Sequence, residues 1–212
     1  MNLHRSKRPD WQNIAPKRQT PLQHLAAATG GVVTVGNFVT VFGFAIVSYG
    51  IDKIIVQQYW VAFTALIVGR CMDVVDGWAA QLTQTKSPLG ELLDAGLDKV
   101  GTFMIIVVLY SYNDAAWLIL VLLVLPHIFI SAITFISIKQ QKHLHPSTRG
   151  KISMASAWVS LLGFVAMRAT HVTFSSMLGY TTYILAVLSI IIGLSATYGY
   201  TRELGKARPE RG

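Results

Sequence analysis

The sequence predicts an all-α integral membrane bundle of six transmembrane helices with a short N-terminal interfacial arm. Three observations lead there. Only 13% of the 212 residues are charged while 52% are hydrophobic, and an average soluble domain carries about 25% charged residues. Stretches free of Lys, Arg, Asp and Glu recur at 19–51, 54–69, 100–113, 115–138, 152–167 and 172–201. The basic excess, 18 Lys and Arg against 10 Asp and Glu for a net charge of +8, gathers in alternate loops. A chain this poor in polar groups cannot cover a water-facing surface, nor is it a disordered or nucleic-acid-coating protein. Its single cysteine, Cys71, excludes an internal disulfide framework and any Cys-based metal cluster.

The spans follow from length, since a bilayer helix needs about 20 mostly apolar residues. They are expected at 32–50, 58–81, 92–112, 115–138, 151–168 and 179–200. Residues 1–31 form a cytoplasmic or interfacial arm. In it Arg5, Lys7, Arg8, Lys17 and Arg18 alternate with Trp11, Ile14 and Leu22, a mixture suited to an anionic leaflet or to a frayed polar tail. The second and third spans reach their length only by including Arg70, Asp73 and Asp76 in one case and Asp94 and Asp98 in the other. The fourth and sixth are long enough on apolar residues alone. Residues 201–212 form a basic cytoplasmic tail. With the N-terminus inside, the inner segments 1–31, 82–91, 139–150 and 201–212 hold thirteen Lys and Arg, whereas the outer loops hold Lys53, with Arg168 at a boundary. Positive residues stay inside, so both termini are expected in the cytoplasm. Trp60, Tyr110, Tyr112, Trp117, Tyr180 and Tyr198 stand near the span ends, where aromatic side chains anchor a helix.

Half of the acidic residues, Asp73, Asp76, Glu91, Asp94 and Asp98, fall within 26 positions. An ionised Asp at a helix centre costs roughly 2.5–3.5 kcal/mol on insertion scales, so the cluster needs a cation, a metal or a water-filled cavity. Asp73 and Asp76 (i, i+3) share one helix face, and Gly77 and Ala80 continue it. Asp94 and Asp98 (i, i+4) share a face of the next helix. The short connection from Leu82 to Glu91 makes the two helices antiparallel neighbours whose four carboxylates converge. Such hard-oxygen donors suit Mg²⁺, Mn²⁺ or Ca²⁺, and Gly77, Ala80 and Gly90 leave room for a bulky ligand. Arg70, one turn before Asp73, is an internal partner for it or a cation for the ligand.

The run Asp73-x2-Asp76-Gly77-x2-Ala80-Gln81-x8-Gly90-x3-Asp94-x3-Asp98 resembles the signature of the CDP-alcohol phosphotransferases, D-x2-D-G-x2-A-R-x8-G-x3-D-x3-D. Seven of its eight fixed residues match across 26 positions with every spacing kept. Gln81 stands where the family has Arg, so one fixed cation is lost beside the ligand. The resemblance extends to the whole chain, because the family has six transmembrane helices with cytoplasmic termini, and 32–200 becomes its catalytic domain. It implies attack of an acceptor hydroxyl on the β-phosphorus of CDP-diacylglycerol, with CMP leaving. By resemblance Asp73, Asp76, Asp94 and Asp98 hold two Mg²⁺ or Mn²⁺ ions, Asp98 is also the general base, and Gly77, Ala80, Gln81 and Gly90 border the cytidine nucleotide.

Two shorter echoes lie outside this motif. Asn37-x2-Thr40 resembles the family's P-N-x-L-T segment, with Gly36 for Pro and Val39 for Leu, and reads as a nucleotide contact or as helix packing. Pro146-Ser147-x2-Gly150-Lys151 resembles the P-S-x2-G-K segment of glycerophosphate-type members, with Lys151 and Arg149 expected to bind an anionic acceptor. Ordinary positive-inside charge is the alternative for both. His143 and His145 read as solvated loop residues, and His127 as packing beside Pro126. The Asp98-Lys99 pair and the Gly150-Lys151 segment look most like phosphatidylglycerophosphate synthases, making glycerol 3-phosphate the expected acceptor. Phosphatidylglycerol, as in cardiolipin synthesis, and inositol phosphate are the alternatives. A divalent-cation or proton transporter and an inactive scaffold are the competing classes. The expected partners are thus the bilayer, CDP-diacylglycerol and a small phosphorylated or lipid alcohol, with no nucleic acid. The family's frequent homodimers have no counterpart stripe in this sequence.

Overall fold

Thr20 opens the first helix by a reciprocal cap. Its Oγ1 accepts from the Gln23 backbone N–H at 3.4 Å, and Gln23 Oε1 accepts from the Thr20 N–H at 3.0 Å. Pro21 fits the first helical position, where no N–H is needed. In the computed structural model, which describes residues 20–85, 88–111, 117–140 and 147–206, this begins an all-helical chain. The order is α1 (Pro21–Ala28), α2 (Val35–Ile55), α3 (Tyr59–Leu82), α4 (Pro88–Ser111), α5 (Trp117–Lys139), α6 (Thr148–Ala169) and α7 (Met177–Lys206). Between α1 and α2 the chain reverses through Gly30 and Gly31, with φ of 61° and 85°, values that a residue without Cβ adopts freely. Thr34 then caps α2 by accepting from the Asn37 N–H at 3.0 Å.

The helices fall into two compact units, residues 1–56 with 61–101 and residues 57–60 with 102–212. In the first, α2 and α3 meet along a seam of small residues. Gly36, Gly43 and Gly50 recur every seven positions and lie against Ala80, Met72 and Leu66; Gly69 of α3 fills the space beside Val47 in return. Packing, not water exclusion, drives such contacts in lipid, and small residues allow the close approach. A Cβ on Gly69 would stand 2.5 Å from Val47 Cγ2 and 3.2 Å from the Gly43 carbonyl oxygen. Gly69→Ala is therefore expected to lower stability by about 1–3 kcal/mol, read as an earlier unfolding midpoint of the protein in detergent. Gln23 ties α1 to the end of α3, its Nε2 donating to the Thr83 carbonyl and to Gln84 Oε1, each at 3.4 Å.

In the second unit α7 packs against both α6 and α5. Ser153 and Ser189 each donate to the other's backbone carbonyl, at 3.0 and 2.8 Å. Gly193 lies beside Pro126 and Ser153. The core here is Leu120, Leu123, Ala157, Leu161, Val165 and Ala186, all fully buried.

Among the described residues, four helices are long and apolar enough to cross a membrane: α2, α5, α6 and α7. Four of the six expected spans are thus supported by length and composition together. α3 and α4 have 24 residues each, ample for a bilayer, but Arg70, Asp73 and Asp76 in one and Asp94, Asp98 and Lys99 in the other depress their hydropathy. Phe38, Val74, Phe135 and Ile191 are exposed; on a membrane protein such side chains meet lipid without penalty. Trp60, Tyr110, Tyr180 and Tyr198 are exposed as well. The last helix runs to Lys206, into the expected tail. Arg5 to Arg18 of the arm, Lys86, Tyr112, Lys142, His143, His145, Pro146, Arg208 and Arg211 lie outside the described residues, as do the side chains of Glu91 and Trp117.

Candidate active site

The acidic residues sit where α3 and α4 are held by α2. Because α2 approaches α3 through glycine, Thr40 reaches the opposing helix: its hydroxyl lies 2.5 Å from Asp76 Oδ2 and 3.1 Å from the Gly36 carbonyl of its own helix. Asp76 is buried, and this hydroxyl compensates part of its lost hydration. Asp73, Asp76 and Asp94 each present a carboxylate oxygen, all three within 4.8 Å of one another. Unit charges 4–5 Å apart repel by about 3–4 kcal/mol at an effective dielectric of about 20. The group is thus costly when bare, and its all-oxygen donor set suits a hard divalent cation.

Asp98 is outside that group of three, in contrast to the expected convergence of four. Arg70 nevertheless ties it to the group: its Nη1 donates both to Asp73 Oδ2 and to Asp98 Oδ1, the latter at 2.7 Å. The guanidinium therefore spans the two helices and neutralises part of the cluster. Of the two readings of Arg70 the structure displays the internal partner, and it adds Asp98, 28 positions away on the next helix, as a second acceptor.

A cavity of about 140 Å³ opens beside the carboxylates. Asn37 and Thr40 of α2, Asp76, Gly77 and Ala80 of α3, and Gly90 and Asp94 of α4 line it, together with Thr34, Gly36 and Thr85. A Cβ on Gly77 would meet nothing within 4 Å, so no packing demand explains that glycine. Gln81 is exposed and does not line the cavity. Asn37 does double duty: its Nδ2 donates to the carbonyls of Gly31 and Val32 at 3.2 and 2.8 Å, clamping the turn before α2 while the residue faces the cavity. Thr34 and Thr85 were missed by motif reasoning. Thr34 is a helix cap and Thr85 a buried loop residue bonded to Thr83 at 2.7 Å, and neither has a sequence signature beyond that local role.

Lys151 and Arg149 belong to the second unit, at the start of α6, and both are exposed. Arg149 donates to Ser195 Oγ at 2.9 Å. Ser147 caps α6 by accepting from the Gly150 N–H at 3.1 Å, while its own N–H donates to Tyr200 Oη at 2.8 Å. The segment that carries the two cations is thereby pinned to α7.

Comparison with curated proteins and with solved structures finds no significant match to either. Residues 31–195, by contrast, match the family model described as CDP-alcohol phosphatidyltransferase. That span begins at the turn before α2, includes every carboxylate and cavity-lining residue above, and covers well over half of the chain. The protein therefore belongs to the CDP-alcohol phosphatidyltransferase family, membrane transferases of phospholipid biosynthesis that move a phosphatidyl group from a CDP-alcohol.

Proposed function

We propose that the protein transfers the phosphatidyl group of CDP-diacylglycerol to glycerol 3-phosphate, yielding phosphatidylglycerophosphate and CMP. The observation that carries the reading is the carboxylate group of Asp73, Asp76 and Asp94, within 4.8 Å of one another, opening on a cavity where Gly77 leaves space. In this reading all six helices α2 to α7 span the bilayer within a catalytic domain of residues 32–200. Both termini lie in the cytoplasm, supported by thirteen inner cations.

Asp73, Asp76 and Asp94 would hold Mg²⁺ or Mn²⁺, with Asp98 sharing a second ion. When bound, the ions neutralise the pyrophosphate and polarise its P–O bonds. Gly77, Ala80 and Gly90, with Asn37 and Thr40 across the cavity, leave room for the cytidine nucleotide. Asp98 accepts the proton of the acceptor hydroxyl as its oxygen bonds to the β-phosphorus. The bond from that phosphorus to the CMP oxygen breaks, and CMP departs with the bonding pair. Arg70 orients the Asp98 carboxylate, and the Thr40 hydroxyl orients Asp76. Lys151 and Arg149 attract the acceptor phosphate.

Outer groups that orient metal ligands are typically worth about 10–100-fold in affinity or activity. Thr40→Val is accordingly expected to weaken Mn²⁺ binding by about tenfold or more, and Thr40→Ser to restore it, by electron paramagnetic resonance titration of the purified protein. The acceptor is tested by one competition assay: CDP-diacylglycerol offered with glycerol 3-phosphate, inositol 1-phosphate, serine and phosphatidylglycerol. Phosphatidylglycerophosphate is expected as the main lipid. A different main lipid replaces the acceptor, and no CMP release with any of the four removes the whole reading.

A further inference from the structure

The second unit holds a cavity of about 500 Å³ that shares no residue with the carboxylate site. Its size is that of a small-molecule pocket. One wall is aromatic and fixed: Tyr183 of α7 stands edge-on to Phe164 of α6 and to Phe174 of the intervening turn, with centroids 5.2 and 4.7 Å apart. The other wall is polar. Arg168, in the last turn of α6, lines it with His171 and Gln57, and no carboxylate does so among the described lining residues.

Backbone conformation supplies an independent sign. His171 and Gln57 follow the C-caps of α6 and α2, Thr170 and Val56, and have φ of 54° and 61°. The His171 N–H donates to the Arg168 carbonyl and the Val172 N–H to that of Met167, the helix ending that glycine makes without strain. Two residues with side chains hold this place instead, and both face the same cavity. The third such residue among those described, Gln84, uses its side chain to bind Gln23. A residue with a side chain held at positive φ points to a task for that side chain.

The cavity also lies where two apolar helices end, α6 and α7, each long enough to cross a bilayer. At that depth phospholipid headgroups are the abundant anions. We propose that this cavity binds the phosphate of an anionic phospholipid, with Arg168 and His171 on the phosphate and the Phe164–Tyr183–Phe174 wall against the glycerol backbone. Arg is suited to phosphate by its planar fork of donors.

Native mass spectrometry of the full-length protein tests this, with dioleoylphosphatidylglycerol, dioleoylphosphatidylcholine or soluble glycerol 1-phosphate added. Wild type is expected to retain phosphatidylglycerol over phosphatidylcholine. Arg168→Gln should weaken retention of the most tightly held lipid by about tenfold, as for one lost charge-assisted bond. His171→Gly should weaken it too, while leaving the unfolding midpoint in lipid-free detergent unchanged or higher, since glycine relieves the turn. Retention of glycerol 1-phosphate with the same Arg168 dependence supports the phosphate site and names a soluble source. Equal retention of both lipids, or phosphatidylglycerol retention unaltered in both variants, overturns the proposal.

Discussion

Asp98→Asn is expected to reduce CMP release by about 10²–10⁴-fold, the range supplied by a positioned general base, with helix content and unfolding midpoint near those of wild type. The substitution keeps the size and one oxygen of the side chain, and Arg70 keeps its bond to Asp73, so the packing between the helices has little reason to change. What disappears is the capacity to take a proton from the acceptor hydroxyl. A purely structural Asp98 predicts a different pattern, in which stability falls and the pH dependence of turnover keeps its shape. Loss of the acidic limb of the pH profile in a well-folded variant identifies the base. Unchanged turnover excludes it.

Removal of divalent cations by EDTA is expected to abolish turnover, with recovery on adding excess Mg²⁺ or Mn²⁺. The reason is electrostatic. Asp73, Asp76 and Asp94 lie within 4.8 Å of one another, and the single guanidinium of Arg70, paired with Asp73 and Asp98, does not balance three carboxylates. A pyrophosphate brought to such a site meets repulsion on all sides unless cations intervene. Metal charge stabilisation is worth several kcal/mol, and each 1.36 kcal/mol is tenfold in rate, so a loss of roughly a thousandfold or more follows. Full turnover in EDTA would show that the carboxylates serve another purpose. Asp76→Asn provides the complement: it should raise the Mn²⁺ concentration needed for half-maximal rate.

The helices were legible because lipid imposes a one-dimensional rule. A spanning backbone must satisfy its own hydrogen bonds, so runs of apolar residues report helices, and the observed α2 to α7 lie over the six expected segments. The exceptions have causes. α3 and α4 carry charge that composition counts against them, and α7 runs on to Lys206, past the expected end at 200. α1 was hidden in the polar arm, although its Thr20–Gln23 capping box is a local signal open to sequence inspection.

The site divides along the same line. Asp73, Asp76 and Asp94 were expected together from spacing on neighbouring helices, and they are together. That Arg70 bridges Asp73 to Asp98, that Thr40 meets Asp76, and that Gln81 stands away from the cavity all depend on helix rotation and depth. The seven-residue recurrence of Gly36, Gly43 and Gly50 was present in the sequence, but only their contacts with Ala80, Met72 and Leu66 reveal it as a seam.

By itself, then, the sequence determined the helical class, the membrane environment, the family and the identity of the acidic residues, because each depends on composition or on spacing within one helix. The tertiary structure decided which groups share a charge and which face a cavity. Those depend on how closely α2, α3 and α4 approach, a distance set by the side chains absent at glycine. The pocket formed by Arg168, His171 and Gln57 belongs to the same category: the end of α6 and a residue far from it in the chain become one surface only after folding.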